Sequence, residues 1–150
     1  MTQAAAGLGS AALYTPEILA LTTQLAQWRG RGPFALEGSA RSRTCGSSLA
    51  LSLETDADGK LVDLAMTVQA CAIGQAAAAI FANAAIGQNR EGIEKGRAAL
   101  AAWLASEGDP PDWPSIALLS AARERPGRHG AIMLPWDAAC EALSSAANLG

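Results

Sequence analysis

The chain has 150 residues, half of them apolar, and a formal net charge of −3. That size and composition suit one domain around a single core and argue against extended disorder. Its arginines and lysines are scattered, so no basic tract marks a nucleic-acid binder.

Met1 to Ala12 carries no Lys or Arg and no leucine-rich core, unlike a secretory signal, and makes the cytoplasm the expected compartment. Residues 1–12 read as a disordered N-terminus, leaving 13–150 as one domain. Three cysteines, an odd number, favour free, buried or metal-binding thiols over a disulfide framework.

Thr15 and Pro16 have the chemistry of a helix start, and apolar residues at Ile18, Leu19, Thr22, Leu25 and Ala26 give a stripe toward Trp28. Gly30 and Gly32-Pro33 end that helix, and Leu36 to Arg43 reads as an edge strand. Leu49, Leu51 and Leu53 alternate with Ala50, Ser52 and Glu54, and Leu61 to Val68 alternates again. Asp56-Ala57-Asp58-Gly59 between them is turn chemistry, so the pair predicts an antiparallel hairpin.

From Cys71 to Ile86 alternation gives way to alanine, the strongest helix former. The apolar run Ala76 to Ile86 falls short of the roughly 20 residues that span a bilayer, so it predicts a buried helix and no membrane partner. Further helices are expected over Arg90 to Ser106, from near Trp113-Pro114-Ser115, and from Pro135-Trp136 through Ala147, with residues 127–130 as a loop. Strands first and helices after favour α+β: a small three-stranded antiparallel sheet packed against helices.

Cys45 stands at the entrance to the hairpin and Cys71 at its exit, where a sheet of this kind brings both to one end. Cys71 also opens a helix, where the helix dipole favours negative charge. Buried small hydrophobes are the competing reading of both. His129, the single histidine, is either a metal ligand beside them or an exposed loop residue. Cys140 reads as a buried helix residue. Asp56, Asp58 and Asp63 lack the spacing of a calcium loop, Ser47-Ser48 lacks a nucleophile turn, and Gly30-Arg31-Gly32 is no phosphate loop. Trp28, Trp103, Trp113 and Trp136 read as packing residues.

Cys45-Gly46, then Cys71-Ala72-Ile73-Gly74 followed by alanines, with Leu13-Tyr14 and Glu17-Ile18-Leu19 as an opening helix, resembles the U-type iron-sulfur scaffold family, the IscU, SufU and NifU N-terminal proteins. The likeness runs from about Leu13 to Ala142. It implies a non-enzymatic scaffold that accepts iron and persulfide sulfur from a cysteine desulfurase, holds a [2Fe-2S] cluster and passes it to recipient proteins. It implies Cys45 and Cys71 as cluster and metal ligands; His129, one residue before the family's histidine position, is a further metal-ligand candidate by its own chemistry. Ser47 stands where the family carries an aspartate, and Gly130 and Ala131 where it carries histidine and the third cysteine.

Two thiolates are half of a tetrahedral shell, which a homodimer could complete. The alternatives are a metal-free adaptor of the assembly machinery, and a zinc protein using Cys45, Cys71, His129 and water.

Overall fold

The computed structural model describes residues 13–44 and 46–149; the N-terminal segment 1–12 and Cys45 lie outside the described residues. In chain order the elements are α1 (Pro16–Gln24), a 3₁₀ turn (Leu25–Trp28), β1 (Leu36–Arg41), β2 (Ser48–Thr55), β3 (Leu61–Gln69), α2 (Ala72–Ala85), α3 (Arg90–Leu104), a 3₁₀ segment (Ile116–Glu124) and α4 (Pro126–Leu149). The architecture is α+β, with one sheet in the order β1-β2-β3, antiparallel throughout.

Thr15 caps α1, its Oγ1 accepting from the Ile18 amide at 3.2 Å, with Pro16 at the first helical position. Ile18 and Leu21 are the residues this helix buries, continued by Leu25 at the start of the 3₁₀ turn, whereas Leu19 faces solvent. The stripe is therefore rotated from the expected one, because Leu21 rather than Leu19 shares a face with Ile18 and Leu25.

In the hairpin, Leu51 pairs with Met66, Leu49 with Val68 and Leu53 with Leu64, so the alternating leucines enter the core together. Asp56 sets the turn, with Oδ1 accepting from the amides of Asp58 and Lys60, both at 2.9 Å. Residues 30–34 fold across the opposite face of the sheet. There the Phe34 amide donates to Ser52 Oγ at 2.9 Å, and Arg31 Nη2 donates to both carboxylate oxygens of Asp63 at 2.6 and 2.7 Å.

α2 is buried nearly all round, which explains why alanine dominates it: only small side chains let elements close on every side of a helix. Its Phe81 stacks on Trp113 at 5.5 Å and meets Trp136 edge-on at 5.2 Å, and Trp113 Nε1 donates to the Ile80 carbonyl at 3.0 Å. α3 ends with Ser106 in a left-handed conformation, the amides of Ser106 and Glu107 bonding back to the carbonyls of Trp103 and Ala102.

Two expectations for the C-terminal half need correction. The segment after Trp113 forms a 3₁₀ run from Ile116, with Ser115 left-handed before it. The last helix starts at Pro126, nine residues before the expected Pro135, and includes the residues expected as a loop. Pro126 suits a first turn, while Pro135 lies inside the helix and removes one backbone donor. Packing overrides that cost: α4 lies against β1 and β2, with Gly38 beneath the backbone of Ala138 and Ala142. Among the described residues, no helix is long and apolar enough to cross a membrane.

Candidate thiol site

Three segments meet at one end of the sheet. The first is the connection from β1 to β2, closed by the Ser42 amide donating to the Ser47 carbonyl at 2.8 Å and the Gly46 amide to the Ser42 carbonyl at 3.1 Å. Gly46 has φ +73°, a conformation that glycine takes without cost. Ser42 and Ser47 are both buried. Ser47 therefore sets a buried hydroxyl where the resemblance expects a carboxylate.

The second segment is the exit of β3. Ser48 pairs with Gln69, so the chain leaves β3 toward Cys71 beside the point where it enters β2. Cys71 occupies the N-cap of α2 with extended backbone, as the sequence suggests, and is half-buried and unbridged. Its carbonyl accepts the Gln75 amide at 2.9 Å, and Gln75 Nε2 donates to the Ala70 carbonyl at 2.9 Å, which ties the cap to the first turn.

The third is the first part of α4. A Cβ on Gly130 would overlap Ser42 Oγ and lie 3.2 Å from Ser42 Cβ. Ala131 is fully buried and faces α2: a Cβ on Gly74 would lie 3.2 Å from Ala131 Cβ and 2.7 Å from Ala70 Cβ. Gly130 thus seats α4 on the first loop, and Ala131 seats it on the start of α2. Two adjacent residues with no ligand to offer thus hold α4 against the other two segments.

His129 lies in the opening turn of α4 rather than in an exposed loop, part-buried, with Nε2 2.8 Å from the Arg123 carbonyl. A carbonyl only accepts, so Nε2 carries the hydrogen and Nδ1 of the neutral ring holds the lone pair. Arg123 is itself fixed, donating from Nε to the Trp103 carbonyl at 2.9 Å with its guanidinium 4.8 Å from the Trp103 ring centroid.

Cys140 sits nine residues beyond Ala131, about 13 Å farther along the helix, beside the Arg97–Asp137 ion pair. Burial pushes its thiol pKa up, an effect that Arg97 opposes. It belongs to the α3–α4 interface. Among the described residues, no three His, Cys, Asp or Glu side chains are grouped closely enough to hold a metal ion.

No protein-family model matches the chain, and no curated protein matches it in sequence. Solved structures do match it in shape. The N-terminal part of a nitrogen-fixing NifU-like protein from Brucella abortus superposes with a TM-score of 0.79 at 22% identity, covering 93% of this chain and 97% of that one. The fold is that of the U-type scaffolds. A candidate iron-sulfur cluster assembly scaffold protein for the SUF system from Fervidobacterium islandicum AW-1 gives a TM-score of 0.75 at 19% identity, covering 87% of this chain and 96% of that one. Within this U-type fold, sequence reasoning placed Cys71 correctly at a helix start. It missed the packing roles of Gly130 and Gly74, because glycine in a sequence signals a turn as readily as a close contact.

Proposed function

We propose that the chain is a scaffold-like carrier of iron-sulfur cluster assembly, not an enzyme, that accepts iron or sulfur at the thiolates of Cys45 and Cys71. The observation that carries this reading is the meeting of the β1–β2 connection, the Cys71 cap and the first turns of α4 at one end of the sheet. A half-buried thiol at a helix N-cap is open to a partner while its backbone stays fixed.

Sulfur acceptance at Cys71 is a displacement. The thiolate attacks the terminal sulfur of a persulfide on a cysteine desulfurase; a new S–S bond forms on Cys71, the donor's S–S bond breaks, and the donor cysteine leaves as thiolate. No outside oxidant or reductant is consumed. A [2Fe-2S] cluster is cargo in this scheme, passed on to a recipient protein in the cytoplasm. With two thiolates per chain, a homodimer supplies the four ligands that such a cluster needs.

The orientation of His129 supports a second reading, in which Cys45, Cys71 and His129 Nδ1 hold zinc with water as fourth ligand. Metal-binding histidines commonly donate their other N–H to a carbonyl, as Nε2 does here to Arg123. Anaerobic incubation with iron and sulfide, against incubation with zinc, separates the two. Iron and sulfide retained by wild type and lost in Cys71→Ser supports the carrier. Stoichiometric zinc lost in His129→Ala supports the zinc site, and no metal under either condition leaves a metal-free adaptor.

A further inference from the structure

Folding gathers positive charge that the sequence scatters. Arg41 and Arg43 flank Ser42, while Arg123, Arg125 and Arg128 surround the start of α4, and the seat of Gly130 on Ser42 brings the two segments together. Residues 41–47 and 123–130 together carry five arginines against one acid, Glu124, a net +4 in a chain of net −3. The positive end of the long α4 helix dipole points into the same region.

Five of the protein's eleven cations are engaged elsewhere. Arg31, Arg90 and Arg97 pair with Asp63, Glu94 and Asp137. Arg123 is held by Trp103, and Arg128 reaches the Tyr14 hydroxyl at 3.5 Å. Arg41, Arg43 and Arg125 are exposed and, among the described residues, have no acidic side chain within ion-pair distance. Arg41 also lines an open groove of about 410 Å³ across the outer face of the sheet, floored by Ser39, Ala50 and Thr67 and running to Gln69, two residues before Cys71.

We infer that this rim is a docking surface for an acidic segment of a partner protein, whose carboxylates meet Arg41, Arg43 and Arg125 and whose chain continues into the outer groove. Guanidinium forks match carboxylates in geometry, and a compact positive patch on an acidic protein steers an acidic partner to one place. Outside residues 41–47 and 123–130 the rest of the chain carries net −7, which disfavours a long, uniformly charged nucleic-acid strand, whereas an acidic protein segment need be charged only where it meets the three arginines. This rests on the reading of the Cys71 end as the place where sulfur or cluster is exchanged.

The probe is a fluorescein-labelled peptide of Asp and Glu, titrated by anisotropy against wild type, Arg41→Gln/Arg43→Gln/Arg125→Gln, and a control of equal charge, Arg29→Gln/Lys60→Gln/Lys95→Gln. At about 20 mM salt the rim variant should bind about tenfold more weakly than wild type and the control within about twofold, with binding weakening toward about 200 mM salt. Equal weakening in both variants, no binding to wild type, or tighter binding of single-stranded DNA of matched length overturns the inference. Iron and sulfide incorporation, measured on the same samples, is expected to be unchanged in the rim variant. Peptide binding without any cluster would sink the carrier reading and leave the docking surface standing.

Discussion

Gly130 and Ser42 are so close that no side chain fits between them: a Cβ at residue 130 would overlap the Ser42 hydroxyl and sit 3.2 Å from its Cβ. The hydroxyl is buried, so it cannot swing freely into solvent. Gly130→Ala should therefore destabilise by about 1–3 kcal/mol, the usual cost of overpacking. Gly127, three residues earlier in the same helix, has no atom within 4 Å of the equivalent point. Gly127→Ala should be neutral or gain up to about 1 kcal/mol from helix propensity. Urea unfolding of both variants checks the pair, and equal effects would show that the contact is not what holds α4 on the first loop.

Gly38 is the more demanding glycine. A Cβ there would collide with the Ala138 carbonyl oxygen and lie 2.8 Å from the Ala142 amide nitrogen, and a helix backbone cannot rotate away as a side chain can. Gly38→Ala should cost about 3 kcal/mol or more and lift α4 from β1, measurable as a lower urea midpoint and weaker amide protection in β1.

Ala131 is fully buried against Gly74. Ala131→Cys adds one sulfur to a closed contact and should lower the thermal midpoint of the metal-free protein by an amount corresponding to about 1–2 kcal/mol. If the thiol site reads as proposed, the added sulfur becomes a third ligand beside Cys45 and Cys71. Zinc should then raise the midpoint of the variant more than that of wild type. A smaller zinc shift in the variant would separate residue 131 from the thiols.

Asp63 carries a pH signature. The hydrogen bond from Arg31 lowers its pKa, against a smaller opposing effect of burial. A carboxyl with a depressed folded pKa contributes stability above the ordinary aspartate range, near about pH 4, and loses it as pH falls through the lower folded value. Both partners are substantially exposed, so the contribution stays below about 1 kcal/mol. Asp63→Asn should be slightly less stable than wild type at neutral pH, with the gap closing in acid. A gap that persists when Asp63 is protonated would assign the loss to something other than charge.

The sheet and α2 were legible because their signals are local. Leu49, Leu51 and Leu53 alternate along one strand, Asp56 makes a turn out of its own side chain, and alanine admits little but helix. The start of α4 was not legible, because Gly127, Gly130 and Pro135 each signal a break. The gain that outweighs them is contact with Ser42, Gly74 and β1, residues distant in sequence. The candidate site divides the same way. Cys71 at a helix start follows from sequence, whereas Ala131 and Gly74 carry no chemical signal and show their role only once α2 and α4 are packed. The basic rim is likewise a product of folding.

The carrier reading meets its most direct test in the iron and acid-labile sulfide content of protein purified without oxygen, beside the Cys45→Ser/Cys71→Ser variant. Iron and sulfide in equal amounts in wild type, and neither in the variant, is the expected result. Absence of both from wild type, or equal amounts in the two proteins, would contradict a role for these thiolates in carrying a cluster.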